Sequence, residues 1–315
     1  MIIRPLAAYE IATFARVCGR DAHASDVENY LQRMFQQSAM RLEWCFVAEE
    51  ANQIIGTIAY WTLPTVGKPS DIVLLTLPWE RDDFLSPGTQ LLQETLVEVQ
   101  RAYGVQEIGH VLDVPPCNPQ WQFFPEQRTT LLHQVGFQNR RKTLRFEWQA
   151  EAGPPVVPER LNFRSLSEVG ETAFIAAIEQ VSQGTFDQRI QQDRERQGPE
   201  IQAQTFFEAM QHLKYDPAWW QLAYTPTREL VGLIMPAHNL TVAVIGYIGV
   251  VPQFRGHGYV DDLLAHGMAS LLHAGYTTIR ADTDVSNLPM ANAFRRANYQ
   301  QFATRHEFQI ALTAM

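Results

Sequence analysis

Apolar positions along this chain follow two spacings, and the order of the segments they mark nearly repeats. In the first half, Trp44-Cys45-Phe46-Val47-Ala48 and Ile54-Ile55-Gly56-Thr57-Ile58 flank a short polar turn and predict a hairpin-like strand pair. Ile72 to Leu77 is a compact apolar run, the pattern of a buried strand. Leu91, Leu92, Leu96 and Val99 fall on one face of a helix that stops at Gly104. In the second half, Trp220-Gln221-Leu222-Ala223 pairs in the same way with Leu230-Val231-Gly232-Leu233-Ile234, and Val242 to Val250 is again a buried-strand run. Val260, Leu263, Leu264, Met268, Leu271 and Leu272 then define a helix face, Thr277 to Thr283 alternates as a strand, and Met290, Ala293, Phe294 and Ala297 mark a further helix.

The same landmarks bracket both halves. Ile3-Arg4-Pro5-Leu6 corresponds to Phe163-Arg164-Ser165-Leu166, and Gly136-Phe137-Gln138 to Asn298-Tyr299-Gln300, each followed by an extended stretch. An offset of about 160 residues is the size of a whole domain, so the pattern implies duplication of one α/β unit rather than a solenoid. Between the copies, Glu151-Ala-Gly-Pro-Pro-Val-Val-Pro-Glu159 opposes both helix and sheet. The expected organisation is a first domain over 1–150, a linker over 151–160 and a second domain over 161–315.

Composition narrows the function classes. Of 315 residues, 46% are hydrophobic and 19% charged, enough apolar content to bury a core in each half. No apolar run approaches the roughly 20 residues that span a bilayer, and the start of the chain does not have the pattern of a signal peptide, so no membrane partner is expected. The net charge of −9 disfavours nucleic acid and is compatible with a cationic acceptor. The cysteines, Cys18, Cys45 and Cys117, are odd in number and widely spaced. They imply reduced thiols in a cytoplasmic protein, with no metal. Whether the chain forms a homodimer is left open.

Candidate chemistry lies where the run ending at Val250 meets the helix beginning near Tyr259. Pro252 ends the strand ladder, and Arg255-Gly256-His257-Gly258-Tyr259 forms a short loop. The first N–H groups of a helix have no internal partner and carry the positive end of its dipole, so strand, glycine loop and helix make an anion site. The loop is neither a Walker loop nor the dinucleotide fingerprint, because their remaining residues are missing. Val250-Val251-Pro252-Gln253-Phe254-Arg255-Gly256-His257-Gly258-Tyr259-Val260 resembles the acetyl-CoA signature of the GNAT superfamily of N-acetyltransferases. A second block, Asn287, Met290, Ala293, Phe294, Asn298 and Tyr299, resembles that superfamily's Asn-x-x-Ala-x-x-aliphatic-Tyr pattern.

The resemblance implies an α/β (α+β) fold of two tandem GNAT-like domains, each a mixed, mostly antiparallel sheet flanked by helices. It implies that backbone amides of Arg255, Gly256, His257, Gly258, Tyr259 and Val260 hold the CoA diphosphate. It places Val250 and Val251 along the pantetheine arm, with Asn287 and Phe294 also against the cofactor. Three positions depart from the family pattern: Val260 replaces Gly or Ala, Val244 replaces the common carboxylate base, and Phe294 replaces the tyrosine that protonates the leaving thiolate. Asp284 and Tyr247 are the candidate replacements, Asp284 as base and Tyr247 as acid. Asp187, Asp193 and Glu195 are candidate attractors for a cationic amine.

In the first copy, the loop after the buried strand carries Glu80, Asp82, Asp83 and Pro87. Carboxylates there repel a diphosphate and the proline removes an amide, so this copy is expected to keep the fold without the CoA site. The expected activity is transfer of acetyl from acetyl-CoA to an amine of a small molecule. The alternatives are a non-catalytic acyl-CoA-binding or sensor protein, and a peptide or protein N-acetyltransferase.

Overall fold

The computed structural model describes residues 1–312; residues 313–315 of the expected second domain lie outside the described residues. Two compact units form: Met1–Arg141 together with the chain from Ala303 onward, and Lys142–Phe302.

The first unit contains β1 (Ile2–Pro5), α1 (Ile11–Gln36), β2 (Cys45–Glu50), β3 (Gln53–Trp61), β4 (Asp71–Thr76), α2 (Leu85–Tyr103), β5 (Glu107–Val114), α3 (Pro125–Val135) and the start of β6 (Gln138–Gln149). The second contains the rest of β6, then β7 (Asn162–Ser165), α4 (Leu166–Val169), α5 (Glu171–Val181), α6 (Gln188–Gln197), α7 (Pro199–Gln211), β8 (Gln221–Tyr224), β9 (Leu230–His238), β10 (Ala243–Val250), α8 (Tyr259–His273), β11 (Thr278–Asp284) and α9 (Leu288–Arg296). β12 (Gln300–Ala311) begins in the second unit and continues in the first.

The first unit's sheet has the order β1-β2-β3-β4-β5-β12, and the second unit's β7-β8-β9-β10-β11-β6. In each, the fourth and fifth strands are parallel and all other neighbours antiparallel. The duplication and the mixed, mostly antiparallel class are therefore present strand for strand.

The division of the chain differs from the expected 150/161 boundaries. From Lys142, β6 lies in the second unit and pairs with β11 as far as Gln149–Thr278. β12 pairs with β5 in the first unit, from Thr304–Val114 to Ala311–Glu107. Each copy's last strand thus completes the sheet of the other unit. Alternation of side chains identifies a strand but not its partner.

Each unit buries its own core. In the first, Phe46, Ile58, Tyr60, Ile72, Leu91, Leu96, Ile108 and Phe308 form one apolar cluster. In the second, α8 and α9 cover one cluster around Phe146, Ile245, Leu264 and Phe294, while α5 and α7 cover another around Phe174, Phe207, Trp220 and Leu233. Among the described residues, no helix is long and apolar enough to cross a membrane.

Candidate active site

β10 and β11 run side by side for only two residue pairs, Ala243 with Ile279 and Val244 with Arg280. Beyond them, β10 stays with β9 out to Val250–Gly232, and β11 stays with β6 out to Asp284–Thr143. The parallel strands diverge and one edge of β10 is left without a ladder. A register irregularity between Ile245 and Tyr247 marks a bulge at Gly246, the device that bends one strand away from another. As a result Tyr247, Ile248, Gly249 and Val250 are only half-buried although their strand is internal to the sheet.

The open edge presents a defined donor. The Val251 N–H donates to the Val231 carbonyl at 2.9 Å. Successive N–H groups point to opposite sides of a strand, so that of Val250 faces away from β9, toward the divergence. A fixed donor there suits an acyl oxygen that gains negative charge. Val251, expected along the pantetheine arm, has a fully buried side chain and an N–H taken by Val231, so neither faces the open edge.

The loop that follows has the dihedrals the glycines suggested. Gly256 has φ +81° and Gly258 φ +78°, the left-handed region that L side chains rarely adopt. A Cβ on Gly256 would meet nothing within 4 Å, so crowding is not what requires glycine there. Among the described residues, the N–H groups of Gly256, His257, Gly258, Tyr259 and Val260 take no partner. They line the N-terminus of a 15-residue helix. Unpartnered amides, an open cradle and the dipole fit the diphosphate of CoA.

The side chains of the loop do other work. Arg255 does not face the cradle: its guanidinium donates to the carbonyls of Val181 (3.0 Å), Gln183 (2.7 Å), Gly184 (3.2 Å) and Val250 (3.0 Å). It ties the loop to the carbonyl end of α5, where the helix dipole favours a cation. The Arg255 N–H is also engaged, with Pro252 O at 3.3 Å, so this residue offers no backbone donor to a phosphate. His257 folds its Nδ1 back onto the Arg255 carbonyl at 2.9 Å. Val260, which replaces the family's small residue, is half-buried at the second helical position.

The remaining expected residues divide between groove and core. Asn287 caps α9, its side chain accepting from the Met290 N–H at 3.3 Å. Phe294 is 1% exposed and packs between Phe146 and Tyr299, each at 5.3 Å between ring centroids, so it is a core residue rather than a wall of the cofactor groove. Tyr247 lies on the open part of β10 with its ring 4.6 Å from that of Phe206. Its hydroxyl has no partner among the described residues, and burial raises it above the ordinary phenol range, with Asp187 adding and Arg194 and Arg255 opposing.

Asp284 is 1% exposed at the end of β11. Oδ1 accepts from the Ser286 N–H (3.0 Å) and hydroxyl (2.7 Å), while Oδ2 meets, among the described residues, only the Gln188 N–H, at 3.4 Å. One oxygen therefore builds the turn before α9 and the other faces the start of α6. Asp187 caps α6 through the Ile190 N–H at 3.0 Å, and Asp193 pairs with Arg196 at 2.8 Å. Both have local structural partners.

Arg160, at the end of the expected linker, was not singled out in the sequence. It pairs with Asp262 through two 2.8 Å bonds, and Arg296 pairs with Asp261 at 2.7 Å. The signal was the adjacent carboxylates Asp261 and Asp262 on a helix start proposed to hold phosphate, which call for counter-cations.

The first unit has the same divergence, and its own chain fills it. β4 and β5 pair in parallel only at Asp71–Gly109 and Ile72–His110. Beyond that point, Gln122 accepts from the Asp113 N–H (2.9 Å) and donates to the Val111 carbonyl (2.6 Å) on β5. On β4, Gln120 accepts from the Leu74 N–H at 3.4 Å and Arg128 donates to the Leu75 carbonyl. Ahead of α2, Arg81 pairs with Asp83 at 2.7 Å and with Glu50 at 2.9 Å.

Residues 185–299, which include the open strand, the glycine loop and α9, match the Acetyltransferase (GNAT) family. This segment is similar in sequence to GNAT acetyltransferase domains. Over its whole length the chain has the fold of tandem GNAT proteins. A GCN5-related N-acetyltransferase from Sphaerobacter thermophilus is 16% identical, with a TM-score of 0.64, over 98% of this chain and 95% of that one. A tandem GNAT protein from the clavulanic acid biosynthesis pathway is 14% identical, with a TM-score of 0.54, over 100% and 99%. A glucosamine N-acetyltransferase region of a fungal β-N-acetylglucosaminidase is 13% identical, with a TM-score of 0.59, over 98% of this chain and 38% of that one. At these identities the likeness is one of fold. No curated protein matches the chain.

Proposed function

We propose that the second unit transfers acetyl from acetyl-CoA to an amine of a small molecule. The observation that carries this is the continuity of the half-buried open edge of β10 with a loop whose five successive amides are free and face a helix N-terminus. An acyl-pantetheine arm fits the edge, and its diphosphate fits the loop.

Acetyl-CoA supplies a thioester whose carbonyl carbon the amine attacks, with the carbon–sulfur bond breaking. The Val250 N–H stabilises the carbonyl oxygen as it gains charge. Tyr247, with its unpartnered hydroxyl on the same strand, gives its proton to the sulfur. Asp284 Oδ2, held by one long contact, accepts a proton from the amine, directly or through water. The divergence holds amine and thioester together, which by itself accelerates the reaction. A chain of net charge −9 favours cationic amines over acidic acceptors.

A non-catalytic acyl-CoA-binding protein is the second reading, favoured by Phe294 in the core and by the Ser286 bonds that commit one oxygen of Asp284. Calorimetry with acetyl-CoA on wild type and Gly258→Glu, followed by an amine-library assay with Tyr247→Phe, separates the readings. Acetyl transfer is expected from wild type, with kcat reduced about tenfold to a hundredfold in Tyr247→Phe at unchanged acetyl-CoA affinity. Tight binding lost in Gly258→Glu without turnover of any amine supports the binder. No wild-type binding removes both.

A further inference from the structure

Asp261 and Asp262 occupy the first turn of α8, beside the free amides of the glycine loop. Carboxylates suit a helix start but oppose a diphosphate bound at the same place. The fold resolves this conflict with two arginines. Arg296 pairs with Asp261 through Nη2 (2.7 Å) and Nε (3.2 Å). Arg160 pairs with Asp262 through Nε and Nη2, both at 2.8 Å, and the Asp262 side chain is 3% exposed.

The setting of Arg160 gives it a second use. Its guanidinium lies 5.0 Å from the Tyr259 ring centroid, and Nη2 is 3.5 Å from the Gly258 carbonyl, so it stands at the mouth of the loop. Its side chain is 50% exposed, and Nη1 takes no partner among the described residues. The planar guanidinium carries five donors, and the edge facing Asp262 leaves Nη1 for another acceptor. Arg255, the arginine inside the loop, is instead engaged by four backbone carbonyls.

We propose that Arg160 is a phosphate-binding residue of the donor site: one edge of its guanidinium neutralises Asp262 and the other donates to a phosphate of CoA held by the loop amides. This rests on acetyl-CoA being the donor. The bidentate bond to a buried carboxylate orients the guanidinium, so little freedom remains to be lost when phosphate arrives. Tyr259 beneath it supplies a cation–π surface that keeps the plane in place.

Calorimetry of the full chain with acetyl-CoA tests this with four proteins: wild type, Arg160→Gln, Asp262→Asn, and the two changes combined. Arg160→Gln should weaken binding about tenfold or more, as expected for loss of a charge-assisted hydrogen bond together with an exposed repulsion from Asp262. Asp262→Asn should bind at least as tightly as wild type. The combined variant has no unpaired charge left, and its affinity should stay at least about fivefold below wild type, with a shallower dependence on salt.

Full recovery of affinity in the combined variant would show that Arg160 only neutralises Asp262, and would overturn the proposal. Equal losses of affinity for acetyl-CoA and for acetyl-pantetheine, which lacks the diphosphate, would also overturn it, because a lost phosphate contact weakens only the former. Wild type that binds no acetyl-CoA would remove the donor assignment itself. These results differ from one another, and thermal melts of all four proteins show whether folding has changed.

Discussion

Several side chains at the level of single residues carry consequences beyond the site. His110 on β5 is 1% exposed, its Nδ1 bonded to the Ile72 carbonyl at 2.9 Å and its Nε2 buried with no partner among the described residues. Burial lowers its pKa from 6.5 to about 4. Between those values the unfolded chain holds a proton that the folded chain does not, so stability is present above pH 6.5 and is lost as pH falls toward 4. Thermal melts should show a loss on the order of 2–3 kcal/mol across this window, and His110→Phe should flatten it. Tyr247 shifts the other way. Its raised pKa keeps the phenol protonated beyond its ordinary value of about 10, so loss of activity up to that pH should have another origin. A pH profile of kcat for wild type and Tyr247→Phe checks this.

At the level of elements, both units diverge after two parallel residue pairs, and what fills the opening decides what each can bind. In the second unit, the bulge at Gly246 and the half-buried run from Tyr247 to Val250 keep it open. In the first, side-chain amides and a guanidinium occupy the strand edges, and Arg128 is buried with its pKa lowered to about 9 by desolvation. Gln122→Leu removes the partners of the Asp113 N–H and the Val111 carbonyl together. It should destabilise the protein by about 2–4 kcal/mol, the sum of two unsatisfied backbone groups, without affecting acetyl transfer. Denaturant melts and the acetylation assay measure the two effects separately. Calorimetry should find one acetyl-CoA per chain, and two equivalent sites would contradict the plugged first unit.

For the whole molecule, the consequence lies in connectivity. Neither half of the sequence contains a complete sheet, because β12 belongs with β5 and most of β6 with β11. A fragment ending at residue 150 leaves the edge of β5 unpaired along its length and removes Phe308 and Leu312 from the core. One beginning at residue 161 lacks Phe146 and Trp148 from the core and leaves β11 bare. Exposed strand edges and lost core favour aggregation. Each fragment alone is expected to be insoluble or without a cooperative melt, and co-expression of fragments split at 150/161 to restore both. Circular dichroism and sedimentation of the separate and combined fragments would test this.

Local spacing was sufficient for much of this protein. The run from Val242, the loop glycines and the apolar face from Val260 to Leu272 gave strand, left-handed glycine loop and helix, because each depends on neighbours within a few residues. The repeat was legible for the same reason, as a recurring order of local patterns. The structure decided whatever depends on partners remote in sequence. Phe294 and Val251 matched family positions but are core residues, since the motif specifies a place on an element and not which neighbours cover it. Asp284 turned inward because Ser286 and the start of α6 supply donors to it. Arg160 reached Asp262 only because the chain after the linker passes the start of α8. The exchange of β6 and β12 was invisible because two equivalent strands carry the same alternation, and only assembly of the sheets decides which edge each one joins.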